Sequence, residues 1–293
     1  VRYQQIIASN DAVIDLSGVT QIISPSRGED RLDIIAETNG RIDLSSLQAV
    51  AGGSGKTRFT VTTGGTMLLG DLLLTDALSL SIAGGTSTVV VGGGFHLDPS
   101  SDLSITGGAT MKVTRDFSYE YDSEAKLDAD AGILQFHTAR DHQLEVGGLD
   151  LGVDGSTSGN LGLGRLVVGD DDVEATVTLV NWFENLSTDG VEALYLYGSG
   201  GMDGLEIRGN SLLIIGDIPV YALIDGEMVD LHSLLGPEDV IVPFQDASGS
   251  NSGWLTIAEN LPGDADDDWD VDGDDLAIFQ ATFGGTDWRT DYN

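Results

Sequence analysis

A chain of 293 residues carries 48 Asp and Glu against 13 Lys and Arg, a formal net charge of −35, with 40 Gly, 6 Pro and no Cys. That charge excludes a basic nucleic-acid face and disfavours an anionic membrane surface; the missing Cys excludes a disulfide scaffold, a thiolate zinc site and a cysteine nucleophile. A hydrophobic share of 41% is enough for a sizeable core, and no apolar run approaches the ~20 residues of a membrane span.

The first strand candidate is Tyr3-Gln4-Gln5-Ile6-Ile7-Ala8. A unit of alternating strand, small turn and second alternating strand then recurs at residues 32–44, 59–69, 80–90 and 103–113, with a weaker copy at 127–136. The second turn residue falls at Gly40, Gly65, Gly85, Gly108 and Gly132, so successive gaps are 25, 20, 23 and 24. Strands of period two repeating every 20 to 25 residues predict a β-solenoid, in which each coil buries its apolar face only by stacking on its neighbours. Glycine at the corners is expected to supply positive φ. The rival arrangement is a large antiparallel sandwich, which shares short strands and Gly-rich turns; hairpin signals are scarce apart from Asn39-Gly40. On this pattern residues 11–216 resemble a parallel β-helix.

Beyond residue 147 the pattern loosens. Leu149-Asp150-Leu151 and Leu161-Gly162-Leu163 are strand seeds, residues 175–180 alternate clearly, and 193–197 with 205–215 restore the unit. The solenoid is therefore expected over residues 1–216. Residues 217–260, with Pro219, Pro237 and Pro243 and a short helix or turn at 231–236, read as a capping or interface region.

Residues 261–293 hold the sharpest motif. Eight acidic residues fall between Asp264 and Asp275. Asp264, Asp266, Asp268, Asp272 and Asp275 occupy loop positions 1, 3, 5, 9 and 12, with Asp270 at position 7 offering its backbone carbonyl. Ca2+ takes six to eight hard oxygens, and a twelve-residue loop with this alternation supplies them. Leu276, Phe279 and Phe283 then share one face of a short helix ended by Gly284-Gly285. The segment resembles the calcium-binding repeat of type I dockerins and related EF-hand-like loops of large secreted bacterial proteins. That resemblance implies calcium as cofactor and the six aspartates as its ligands. Trp269 stands at position 6 where the pattern has Gly, and there is one repeat where dockerins carry two, so cohesin binding is not carried over.

Other candidates read as structure. Gly52-Gly53-Ser54-Gly55-Lys56-Thr57 has Val50 where a phosphate loop needs Gly, and strand rather than helix follows it. His96, His137, His142 and His232 are scattered and read as surface or turn residues, not ligands. Asp170-Asp171-Asp172 reads as an exposed corner, Asn185-Leu186-Ser187 as a chance sequon, and Gly92-Gly93-Gly94 lacks the Asp spacing of calcium nonapeptide repeats. Glycan hydrolysis needs two carboxylates at fixed separation, and 48 acidic residues offer too many pairs to select one. Arg115, Arg140 and Arg208 are available for β-elimination but sit in no aspartate cluster readable from sequence.

These features predict a non-enzymatic, secreted structural protein, located extracellularly or on the cell surface, whose high acidity suits a cation-rich setting. Val1-Arg2-Tyr3, without Met or leader, reads as a processed chain. Head-to-tail self-association into a filament or surface layer is the expected partnership, with no nucleic acid and no membrane insertion. The alternatives are a monomeric adhesin or glycan-binding module with a glycan or cell-surface partner, and behind it a polysaccharide lyase or hydrolase.

Overall fold

Along the strand Leu78–Ala83, Leu78, Leu80 and Ile82 are buried while Ser79, Ser81 and Ala83 face outward. The neighbouring strands Lys56–Thr62 and Asp102–Thr106 keep the same phase, so Phe59, Leu80 and Leu103 lie in one inward row and Val61, Ile82 and Ile105 in the next. All these pairings are parallel. A single coil has no second layer to cover its inward side chains; stacking in register does so, and this selects the solenoid over the sandwich.

The computed structural model describes residues 2–121, 123–155, 159–185, 190–235, 241–245 and 252–257. The chain is nearly all β and winds into a parallel β-solenoid of about eight turns. Each turn passes through three faces. Tyr3–Ala8, Arg31–Glu37, Lys56–Thr62, Leu78–Ala83, Asp102–Thr106 and the start of Leu127–Phe136 build the first. Val13–Asp15, Arg41–Leu44, Thr66–Leu69, Thr88–Val91, Thr110–Val113, the end of Leu127–Phe136, Leu163–Val168 and Leu205–Ile207 build the second. The third begins with Gln21–Ile23, Ala49–Ala51 and Leu74–Thr75. It continues through a Leu72–Phe95 bridge into Phe95–Leu97, Phe117–Tyr119, Asp141–Glu145, Thr176–Val180, Leu212–Ile214 and Ser252–Thr256.

Corner glycines serve two purposes: Gly64, Gly84, Gly107 and Gly108 supply the expected positive φ, and others allow close approach. At the first two corners positive φ falls on the preceding residues, Asn39 at 61° and Gly64 at 80°. Gly40 and Gly65 are needed for close approach, since a Cβ at either would run into the carbonyl of Ala8 or Ala36 in the previous coil.

From Leu163 on, the spacing stretches while the register survives. Leu134 pairs with Leu166 and Leu166 with Leu205, steps of 32 and 39 residues. The extra chain forms Gly148–Leu149, which pairs antiparallel with Glu192–Leu196. Parallel pairing also enters the 217–260 segment, at Leu194–Val220 and Leu212–Trp254. There the chain folds back in two antiparallel hairpins, Val220–Ile224 with Glu227–Asp230 and Ile241–Gln245 with Ser252–Thr256. A 3-10 turn, Leu231–Leu234, lies between them, the His232 N–H capped by the Asp230 side chain. No helix among the described residues is long and apolar enough to cross a membrane.

Candidate functional site

Three regions draw outward-facing residues together. The first is the coil at the N-terminal end. Tyr3–Ala8, Val13–Asp15 and Gln21–Ile23 each pair on one side only, so all three faces present a strand edge there among the described residues. The outward positions of this coil set apolar Ile7, Val13 and Ile23 beside polar Gln5, Asp15 and Gln21. Ile7 continues into Ile35, Thr60, Ser81 and Ser104 on later coils, and Val13 into Arg41, Thr66, Thr88 and Thr110. Val13 is 66% exposed and Ile23 72%. Inward residues Ile6, Ile14 and Ile22 are only partly covered, because no coil stacks on their far side among the described residues. Tyr3 is exposed beneath the Arg31 guanidinium, 4.5 Å from its ring centroid.

The second region is a buried carboxylate cluster on the third face. Glu145 is completely buried. The backbone N–H of Trp182 donates to Oε2 at 3.1 Å, and the N–H of Phe183 and the side-chain amide of Asn185 donate to Oε1 at 3.0 and 3.1 Å. The Asn185 N–H donates to Glu192 Oε1 at 2.7 Å. Two carboxylates thus pin residues 182–185 over the third face. Burial pushes the Glu145 carboxyl up to about 7, against those donors and with the Glu192 charge adding to the rise. Burial, reinforced by both carboxylates, likewise raises the Tyr119 hydroxyl. Every lone pair of Glu145 that a donor reaches is used to hold the chain, so the carboxylate works as an anchor.

The third region lies on the second face around Asp170. Lys112 Nζ donates to Asp170 Oδ2 at 3.2 Å, and Arg208 reaches Asp170, Asp171 and Glu206 at 3.1, 3.3 and 2.6 Å. Arg165 also contacts Glu206. Burial alone would raise the Asp170 carboxyl; the Asp171 N–H, Lys112 and Arg208 outweigh it and hold it below the ordinary range. Arg208 therefore does sit in an aspartate cluster, which sequence reading missed because Asp170 and Arg208 are 38 residues apart. The cluster is internally neutralised, so Asp170 is committed to cations the chain supplies.

The remaining predicted residues fall as follows. Asp264, Asp266, Asp268, Asp270, Asp272 and Asp275, with the short helix after them, lie outside the described residues. No group of three or more His, Asp or Glu among the described residues is arranged to hold a metal ion. His142 corrects the surface reading: it is fully buried, its ring nitrogens facing the carbonyls of Arg115 and Thr138 at 2.9 and 3.0 Å, because it occupies an inward position of Asp141–Glu145. His96 faces outward between Ser118 and Glu120, and His232 contacts the Gly216 carbonyl. Gly52 and Gly53 turn at positive φ into the strand Lys56–Thr62, with no helix for a phosphate. The Asn185 side chain is 2% exposed and engaged with Glu145 and the Val146 carbonyl. Glu145 and Glu192 were not singled out from sequence; one acid at the end of its strand and one at the start of another carried no signal among 48.

Comparison with protein-family models, curated proteins and solved structures returned no match.

Proposed function

We propose that this chain is a secreted, non-catalytic structural rod that associates end to end into an extracellular filament or surface layer. The observation that carries the reading is the N-terminal coil, whose strands pair on one side only among the described residues and whose outward positions include apolar Ile7, Val13 and Ile23. Exposed apolar edges template further strand pairing, and natural proteins otherwise blunt them with charge. At the opposite end, Glu227–Asp230 and Ile241–Gln245 are each paired on one side among the described residues. A contact between unlike ends does not close on itself and therefore propagates.

Calcium belongs to the same proposal. The spacing of Asp264, Asp266, Asp268, Asp272 and Asp275, with the Asp270 carbonyl, supports a bound ion in an EF-hand-like loop at residues 261–293. A diffuse coat of carboxylates also benefits from divalent counterions when rods approach. The test is electron microscopy of the purified chain with and without calcium, beside a variant carrying Val13→Asp and Ile23→Asp. Filaments are expected for the parent chain and single rods for the variant; monomeric rods in both overturn the reading.

A further inference from the structure

Asp141, Thr176, Leu212 and Trp254 hold the same register position on four successive third-face strands. Strands in a ladder lie about 4.8 Å apart, so these four residues line roughly 14 Å of the solenoid axis. A groove of about 790 Å3 opens over them. That volume lies within the usual range for a ligand-binding cleft, about 300–1,000 Å3.

Its walls mix cationic, amide, acidic and apolar side chains. Arg140 lines it with a guanidinium that makes no ion pair among the described residues. Asn210 donates from Nδ2 to Glu174 Oε1 at 2.8 Å, which fixes both side chains and leaves the second Glu174 oxygen and the Asn210 carbonyl facing solvent. Asp141 adds a further acceptor, and Trp254, 37% exposed, adds a flat apolar surface beside Leu212.

We propose that this groove binds a neutral, hydroxyl-rich polymer, a linear polysaccharide lying along the solenoid axis. Each sugar hydroxyl both donates and accepts, which matches walls carrying Arg140 and Asn210 donors beside Asp141 and Glu174 acceptors. The C–H face of a sugar ring is apolar and packs on an exposed indole. Competing ligand classes fit worse. Asp141 and Glu174, with Asp171 and Asp172 lining the adjoining hollow, repel phosphates and uronates. A purely apolar ligand would strip water from four polar side chains without replacing it. An added peptide strand needs an open backbone edge; the strands that carry Asp141, Thr176, Leu212 and Trp254 are paired on both sides, and of the lining strand residues only Ile241 lies on a strand with an unpaired edge among the described residues. The site lies away from the N-terminal coil and is independent of the filament proposal.

Affinity electrophoresis of the full chain through gels containing soluble β-glucan, xylan, mannan or galactan tests it, with polygalacturonate as the anionic counter-probe. At least one neutral polymer is expected to retard the protein. Trp254→Ala and the exposed Arg140→Ala should each weaken that retardation at least tenfold, while Trp182→Ala, elsewhere on the surface, leaves it unchanged. Circular dichroism of each variant confirms the β fold. No retardation by any neutral polymer overturns the proposal. So does retardation indifferent to both Trp254 and Arg140, or retardation by polygalacturonate alone.

Discussion

Glu145 and Asn185 are 40 residues apart in the chain, yet the Asn185 side-chain amide donates to Glu145 Oε1 at 3.1 Å inside the protein. The bond closes residues 182–185 over the third face, and it makes stability depend on a buried carboxylate. Burial lifts the Glu145 carboxyl from 4.5 to about 7. The folded state therefore holds this proton more tightly than the unfolded state does. Its stabilising contribution is fully present below pH 4.5 and is lost as the pH rises through about 7. The displacement corresponds to roughly 3 kcal/mol. Glu145→Gln should remove this slope, so melting temperatures of variant and parent diverge in the variant's favour between pH 5 and pH 8. A constant offset from the Trp182 N–H, which a Gln amide nitrogen cannot accept, is superimposed. Parallel melting curves across that range would refute the assignment.

Gly65 and Gly18 separate crowding from flexibility. A Cβ at Gly65 would meet the Ala36 carbonyl of the coil below, whereas one at Gly18 finds nothing within 4 Å. Gly65→Ala should force two stacked coils apart and cost about 1–3 kcal/mol, the range for overpacked sites. Gly18→Ala should be neutral or stabilise by up to about 1 kcal/mol through the unfolded chain. Urea titration of the two variants gives both numbers. Equal effects would remove the close-approach argument.

Phe59 lies between Ile34 and Leu80 in an inward row and is completely buried. Phe59→Ala leaves a cavity that neighbouring coils, fixed by their own backbone ladders, cannot collapse to fill. A loss of about 3–5 kcal/mol is expected in the same urea measurement. A loss below 1 kcal/mol would mean that the coils slide to repack.

The contrast between these residues and Glu145 shows which parts of the fold could be read in advance. Phe59, Leu80 and Leu103 were legible because two-residue alternation and a recurring turn place each on the inward side without knowledge of its neighbours. The third face was legible only in part: residues 175–180 alternate, but Phe95–Leu97 and Phe117–Tyr119 are three residues long, too short to show a period. His142 reads as a surface or turn residue because a lone His carries no sign of which side of its strand faces inward, yet it holds an inward position of Asp141–Glu145. The later coils keep register across 32 and 39 residues while the added chain forms further strands, Gly148–Leu149 and Glu192–Leu196, which erases the sequence period without disturbing the ladder. Tertiary pairs such as Glu145–Asn185 and Asp170–Arg208 have no local signature, since what joins them is stacking.

The apolar outward positions at the N-terminal coil have their own test in solution. Val13 and Ile23 make outward contacts with no coil below them among the described residues, so Asp at either site should leave the monomer's melting temperature within about 1 °C. Sedimentation velocity should nevertheless show loss of every species larger than one chain, because an edge carrying charge resists pairing. Assemblies that persist with both aspartates in place would move the contact elsewhere on the rod.

Trp269 gives the calcium loop a built-in reporter. It stands at position 6, between the proposed ligands Asp268 and Asp270. Tb3+ occupies the same oxygen-rich sites as Ca2+, and an indole one or two residues from its ligands should sensitise the ion's green emission. Emission excited through tryptophan is therefore expected on adding Tb3+, with Ca2+ displacing it. Asp264→Asn with Asp268→Asn should abolish the signal by removing two charged ligands. Trp269→Phe should abolish sensitised emission while leaving Ca2+ binding by calorimetry intact. Trp182, Trp254 and Trp288 remain in that variant, so emission surviving Trp269→Phe would place the ion away from the loop. Absence of calorimetric binding to the parent chain would remove calcium from the proposed function.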